Sequence, residues 1–302
     1  MVEPSRRGSL MLLVASVIWG STFVAQSLAA QHLRPFTFQF ARSMLGAAAL
    51  LPAILIADRV KKKKHGHTRP PAQADKRLLL KGGLACGLAL FVATNLQQFG
   101  LEESGAGKAG FITALYILIV PILGLFLGHR ARPALWVSVG IAAVGLYLLS
   151  VKSGFHISTG DALLILCAVA FAVQILLVDH YGLKVSGMKL CSLQFLVSGL
   201  LSGVLMILLE KPDATSILAA WGPLLYAGVL SSGVAYTLQI FGQRTTPPAI
   251  ASLLMSLEAV FAVITAILVL GQVPTPREWA GSALMFSAIL LAQRGQEQRP
   301  AV

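Results

Sequence analysis

The chain has 302 residues, 56% of them hydrophobic and only 12% charged, with a net charge of +12. A soluble domain carries about 25% charged residues, so this composition excludes an ordinary soluble fold and points to a chain that lives in lipid. The surplus of Lys and Arg would suit nucleic acid, but it is concentrated in the segments between apolar runs on one side, so no nucleic-acid partner is expected.

The apolar residues come in runs of about 17–25, long enough to cross a bilayer as helices. Ten are expected, at roughly 9–30, 35–57, 78–101, 106–128, 133–151, 160–180, 188–209, 217–242, 248–270 and 276–293. In lipid only helices and closed barrels satisfy the backbone, and runs of this length are helices. The expected fold class is therefore an all-α integral membrane protein. Arg6 and Arg7 precede the first run as they would in a signal peptide. The run from Ser9 to Ala30 is longer than a typical h-region and no clear small-residue cleavage site ends it, so it reads as a retained first helix.

With the N-terminus placed in the cytoplasm, 18 Lys and Arg fall on the inner side and 5 on the outer, leaving Arg42 inside the second run. This positive-inside bias puts both termini in the cytoplasm. The inner set includes the connector 58–77, whose Lys61–Lys64 run reads as a topogenic signal. Contact with anionic lipid is the sharper alternative.

In the first run, Trp19 and Gln26 are seven apart and share a face with Thr22 and Phe23 between them. That face could line a cavity, or Gly20 and Ser21 could simply pack closely on a neighbour. The second run carries Gln39 and Arg42, and Arg42 lies about 10 Å in from the outer end at 1.5 Å per residue. It could snorkel outward or face inward and pair. His65 and His67 in the connector are a weak metal signal, read as solvated loop. The third run ends in Val92-Ala93-Thr94-Asn95-Leu96-Gln97-Gln98-Phe99-Gly100. The fourth holds Thr113, Tyr116 and Pro121, and the missing proline N–H predicts a kink near Pro121. Gly140 and Gly145 in the fifth are expected at close helix contacts.

The pattern then restarts. Gly160-Asp161-Ala162-Leu163-Leu164 echoes Gly8-Ser9-Leu10-Met11-Leu12, which sets Phe171 on Trp19. Gln194-Phe195 matches Gln39-Phe40, and Gly271 and Trp279 match Gly128 and Trp136. The eighth run contains Val234-Ala235-Tyr236-Thr237-Leu238-Gln239-Ile240-Phe241-Gly242, which agrees with 92–100 at Val, Ala, Leu, Gln, Phe and Gly. The chain thus divides at 1–152 and 153–302 into two five-helix repeats. Five is odd, so the second repeat enters the membrane from the opposite side, an inverted repeat of the kind secondary transporters use. Asn95, Gln97 and Gln98 are then expected near the outer end of their helix, and Tyr236, Thr237 and Gln239 near the inner end of theirs. They could act as two gates, or as interhelical hydrogen bonds worth about 0.6 kcal/mol each.

Glu258 lies about ten residues beyond Pro248, roughly 15 Å deep. A carboxylate there is costly unless protonated, paired or wetted. It is open as a proton carrier or substrate-amine contact, as part of a structural bond with Arg42 or an amide, or as a group facing a watery vestibule. Cys86, Cys167 and Cys191 fall within runs and read as buried thiols. The histidines His32, His65, His67, His129, His156 and His180 lie in loops or at run ends, and only one carboxylate is deep, so no enzyme constellation, metal site or cofactor is expected. The absence of a P-loop removes ATP-driven pumping by this chain.

Trp19-Gly20-Ser21-Thr22-Phe23, Phe38-x3-Arg42, Gly110-Phe111-Ile112-Thr113-Ala114-Leu115-Tyr116 with Pro121, Gly160-Asp161, and Ser256-Leu257-Glu258-Ala259-Val260-Phe261-Ala262 together resemble the EamA-type drug/metabolite transporter (DMT) superfamily. The resemblance covers both repeats. It implies ten helices, a cavity between the halves and alternating-access transport, often export of amino acids, other metabolites or toxic compounds. The chain departs from the family pattern at Gln272, at His129 and at Ala259, where members commonly carry glutamate, glutamate and proline. Those departures leave Glu258 as the coupling candidate.

The resulting expectation is a multi-pass inner-membrane secondary transporter that exports small organic metabolites, such as aromatic amino acids or amphipathic toxic compounds. A proton is the candidate coupling ion. A lipid or lipid-linked-sugar flippase and an intramembrane enzyme are the alternatives. The expected substrate-binding residues are Trp19, Gln26, Asn95, Gln98, Tyr116, Gln174, Tyr236 and Gln239, with Glu258 and Arg42 as coupling or charge-pair residues. The lack of a mid-membrane basic cluster argues against phosphorylated substrates.

Overall fold

A computed structural model of the chain describes residues 5–65, 73–128, 133–150, 158–270 and 275–297. In chain order the helices are α1 (Arg6–Ala29), α2 (Pro35–His65), α3 (Gln73–Ser104), α4 (Ala106–Ala114), α5 (Tyr116–Phe126), α6 (Pro133–Ser150), α7 (Thr159–Gly182) and α8 (Gly187–Leu209). They continue with α9 (Ala214–Ala219), α10 (Trp221–Leu225), a π-helical stretch Tyr226–Ala235, α11 (Tyr236–Gln243), α12 (Pro248–Met255), α13 (Glu258–Leu270) and α14 (Pro276–Glu297). Among the described residues there is no strand. His67, His129, His156, Gly271 and Gln272 lie outside the described residues.

Among the described residues, eight stretches are long and apolar enough to cross a membrane. The apolar part of α6, Pro133–Leu148, is shorter. α14 is diluted by Arg277, Glu278, Gln293 and Arg294 and falls outside the eight. Large apolar side chains such as Ile56, Ile207, Leu208 and Leu268 point outward, where lipid tails meet them without penalty. Buried small and polar side chains, including Ser198, Ser202, Ser231 and Ser252, fill the interior instead. Cys86, Cys167 and Cys191 are buried free thiols.

The helices pack as α3 on α7, α2 on α8, α6 on α14, and α1 on α11, α12 and α13. The repeated nine-residue stretch ends each time in a glycine at a close crossing. A Cβ on Gly100 would lie 2.5 Å from Leu164 Cγ and 2.9 Å from Gly160 O, whereas one on Gly242 would lie 2.7 Å from Leu12 Cγ and 2.9 Å from Gly8 O. The end of α3 therefore meets the start of α7 as the end of α11 meets the start of α1. The partners are Gly160 and Leu164 in one case and Gly8 and Leu12 in the other, which are the residues that echo each other in sequence.

Helix ends are tied by side chains that take up orphan backbone groups. Ser158 and Asp161 form a capping box on α7, and Ser104 at the end of α3 donates to Asp161 Oδ1 at 2.8 Å. Glu210 accepts from Phe36 N at 3.0 Å, Thr37 N at 2.8 Å and Thr37 Oγ1 at 2.6 Å, placing a buried carboxylate on the first turn of α2. Arg244 donates to Gly182 O at 2.8 Å and Val185 O at 2.7 Å beyond the end of α7.

Three of the expected runs are not single regular helices. The fourth breaks at Leu115, between α4 and α5, where Leu115 N bonds Ile112 O in a tightened turn. The kink thus lies six residues before Pro121, whose ring crowds the Ile117 carbonyl and loosens the turn on its N-terminal side. The ninth run breaks at Ser256–Leu257, between α12 and α13. The eighth is π-helical at its centre, with Tyr236 N bonding Ser231 O and Ser232 Oγ bonding Ala227 O at 2.9 Å. π-segments of this kind recur at functional positions.

Candidate functional site

The irregular stretches converge. Tyr116 is the first residue of α5 and Glu258 the first of α13, so each sits at a helix break, and the Tyr116 hydroxyl donates to Glu258 Oε1 at 3.1 Å. The two positions are 142 residues apart, the same offset that separates Val92 from Val234. α1 reaches this point closely because Gly20 has no side chain. A Cβ there would lie 2.6 Å from Glu258 O and 2.5 Å from Phe261 Cβ. Gly20 therefore serves packing while Trp19 and Gln26 face inward.

Around this pair lies a cavity with about 470 Å³ of empty space, its open mouth included. That is the size range of small-molecule sites. Trp19, Gln26, Arg42, Tyr116, Gln174, Tyr236, Gln239 and Glu258 all line it. Asn95 and Gln98 do not. A helix turns about 100° per residue, and the α3 residue that lines the cavity is Gln97. Gln98 and Asn95 are therefore turned onto other faces. Asn95 Nδ2 donates to Phe91 O at 2.8 Å and Ser202 Oγ at 3.0 Å, tying α3 to α8. Gln98 is fully buried off the cavity wall. The two copies of the repeated stretch meet at this one chamber, which Gln97, Tyr236 and Gln239 share.

Residues that the sequence reading left out of its site are Thr22, Phe23, Gln97, Thr113, Phe171, Ile175, Ser231 and Met255. The signal for Gln97 was its register with Gln239 in the repeat, and that for Phe171 its register with Trp19. Ser231 and Met255 carried no such signal.

The wall is a polar network with aromatic faces. Gln239 Nε2 donates to Gln174 Oε1 at 3.1 Å, and Gln174 Nε2 to Gln194 Oε1 at 3.3 Å. Gln26 Nε2 donates to Gln97 Oε1 at 3.4 Å, and Gln97 Nε2 to Thr113 Oγ1 at 3.5 Å. Trp19 meets Tyr236 edge to face at 4.8 Å, and Phe195 backs Tyr236 at 5.0 Å. Such pairs hold ring orientation as well as burying area.

Arg42 does not snorkel. It is buried and donates from Nε to Ser232 Oγ at 3.3 Å and from Nη2 to Ser231 Oγ at 3.4 Å, with its guanidinium 5.7 Å from the Phe38 ring centre. It forms no ion pair with Glu258, so of the readings left open for Glu258 the bond with Arg42 is not the one adopted; each side chain is held instead by neutral hydroxyls. A chamber bounded by amides, hydroxyls, rings and two separated charges can bind a compact amphipathic solute and release water around it.

The polar chamber lies at helix breaks inside a bundle of long apolar helices. The sequence profile of the EamA-like transporter family matches residues 6–151 and again 158–293, and the chain belongs to that family, of the drug/metabolite transporter type. A protein of Archaeoglobus fulgidus named an uncharacterized transporter is 29% identical over 93% of this chain and 84% of its own length. A probable terminal-alkyne amino-acid exporter of Streptantibioticus cattleyicolor is 26% identical over 76% of each chain. One solved crystal structure superposes with a TM-score of 0.75 over 94% of this chain and 97% of that one at 19% identity, which shows a shared fold.

Proposed function

We propose that the protein is a secondary active exporter of small organic metabolites, amino acids with apolar or aromatic side chains among them, working by alternating access in the inner membrane. In this reading ten spans form two inverted five-helix repeats, 1–152 and 153–302, with both termini in the cytoplasm. The family profile fits the two halves separately, and the crossings at Gly100 and Gly242 exchange partners as a pseudo-two-fold axis in the membrane requires. The relative named as an amino-acid exporter favours that substrate class.

The observation that carries the reading is the meeting of Tyr116 and Glu258 at two helix breaks on the chamber wall. Discontinuous helices expose unpaired backbone groups and position charged side chains at mid-membrane, where transporters bind substrate and coupling ion. Among the described residues, Glu258 is the one acidic side chain on that wall. A proton and a positively charged substrate group can neutralise it in turn, which couples proton entry to substrate release.

Thermal stabilisation of the purified protein by a panel of amino acids, nucleobases, sugars, nucleotide sugars and cationic drugs tests this. A ligand at ten times its Kd adds about 1.4 kcal/mol to stability by mass action. Stabilisation confined to amino acids or amphipathic amines, followed by proton-dependent flux of the same compounds in vesicles, supports the reading. Stabilisation by lipids alone overturns it in favour of a flippase.

A further inference from the structure

Two buried ionisable side chains, one basic and one acidic, face one chamber and do not meet. Arg42 is 3% exposed and Glu258 is 6% exposed. Arg42 spends Nε and Nη2 on two serine hydroxyls and leaves Nη1 without a partner. Glu258 accepts one bond, from the Tyr116 phenol. A charge inside a membrane protein is expensive, and direct pairing is its usual remedy. Here the two poles are kept apart, and Tyr236 lines the chamber with both. The chamber holds further unsatisfied polar atoms: Trp19 Nε1 as a donor, and Gln26 Oε1 and Gln239 Oε1 as acceptors.

We propose that Arg42 and Glu258 are the two poles of a clamp for a zwitterion, with the ligand carboxylate on the Arg42 guanidinium and its ammonium on Glu258. This rests on the chamber being the substrate site and deepens that reading by assigning the ends of the ligand to named residues. A guanidinium matches a carboxylate with two parallel N–H donors, and Nη1 is free for one of them. An ammonium has three donors to place, and Glu258, Gln26 Oε1 and Gln239 Oε1 are the acceptors left over on the wall. A side chain of apolar or aromatic character fits against Trp19, Phe171 and Met255. One zwitterion neutralises both poles at once. A bare amine or a bare acid neutralises one and leaves the other charge buried alone, and sites built for a polar group reject ligands that lack it.

The test is calorimetric titration of the purified full chain in detergent with L-phenylalanine, 2-phenylethylamine and 3-phenylpropionate, which share the ring and differ in the charged ends. L-phenylalanine binds at least tenfold more tightly than either analogue. Glu258→Gln abolishes the preference for L-phenylalanine over 3-phenylpropionate, and Arg42→Gln abolishes the preference over 2-phenylethylamine. This crossed pattern separates recognition from misfolding, which would weaken all three alike. Should Arg42→Gln not fold, Arg42→Lys keeps the charge without the fork and weakens L-phenylalanine while sparing 2-phenylethylamine. Equal wild-type binding of all three compounds, no binding of any, or variants that retain both preferences overturn the clamp. If the three bind equally but Trp19→Ala weakens them all, the chamber stands as the site without a clamp. Binding that no chamber variant alters removes both readings.

Discussion

Alanine at three glycines should give opposite results for one chemical change. In a helix interior Gly→Ala is favourable by about 0.5–1 kcal/mol when the added methyl meets nothing. Gly140 in α6 is such a position: contrary to the close contact expected there, an added Cβ would meet nothing from neighbouring elements within 4 Å, whereas one on Gly145 would lie 2.8 Å from Gly281 O. At Gly100 the same methyl would lie 2.5 Å from Leu164 Cγ and 2.9 Å from the Gly160 carbonyl oxygen, and at Gly242 it would lie 2.7 Å from Leu12 Cγ and 2.9 Å from the Gly8 carbonyl oxygen. Leucine can change rotamer, but a carbonyl moves only with its helix, so both substitutions overpack a crossing and are expected to cost about 1–3 kcal/mol. Thermal unfolding in detergent reads the difference. Gly140→Ala should unfold at or above the wild-type midpoint, and Gly100→Ala and Gly242→Ala several degrees below it by similar amounts. Leu164→Ala should relieve Gly100→Ala in part, and Leu12→Ala should do the same for Gly242→Ala. Equal midpoints for all three single variants would refute the packing argument, and with it the exchange of partners that supports the inverted repeat.

Other outcomes follow from the site. Glu258→Gln should abolish proton-driven flux while the protein still folds, and wild-type flux at any imposed proton gradient rules out a protonation role. Tyr116→Phe removes the hydrogen bond donated to Glu258, and flux should fall about tenfold or more, consistent with about 1–3 kcal/mol for a buried acceptor left unpaired. Gln97→Leu should impair flux and Asn95→Leu mainly stability, because only Gln97 lines the chamber; equal flux losses at matched expression contradict that division. Glu210→Ala strips three accepted bonds from the first turn of α2. It should lower the unfolding midpoint and leave flux per folded molecule near wild type.

Much of the fold was legible because hydrocarbon allows few choices. A run of about 20 apolar residues has to satisfy its own backbone, so the long runs pointed to helices, and eight of the ten expected are long and apolar enough to span among the described residues. The deep charges were legible for the same reason: Arg42 and Glu258 stand out in apolar sequence, and both reach the chamber. Trp19 and Gln26 were readable from seven-residue spacing. Helix phase was harder, because Asn95, Gln97 and Gln98 are all polar and periodicity alone does not say which faces inward. Register with Gln239 resolves it, since both glutamines line the wall. The π-helical stretch left no signal beyond Gly228, Ser231, Ser232 and Gly233, which small-residue packing explains equally well. The break at Leu115 was masked by Pro121, which drew the expected kink downstream of its true place.

The central claim is that one chamber opens alternately to the two sides. Single cysteines at Gln97 and Gln239 test it most directly, since the native thiols Cys86, Cys167 and Cys191 are buried and need little correction. In sealed vesicles, with and without a ligand that stabilises the purified protein, labelling by a membrane-impermeant thiol reagent from each side is the measurement. Because both residues line one chamber, alternating access predicts reciprocal change between the two sides: conditions that raise labelling of Gln97→Cys and Gln239→Cys from the outside lower it from the inside. Labelling that rises or falls together from both sides, or does not respond to ligand at either position, contradicts it.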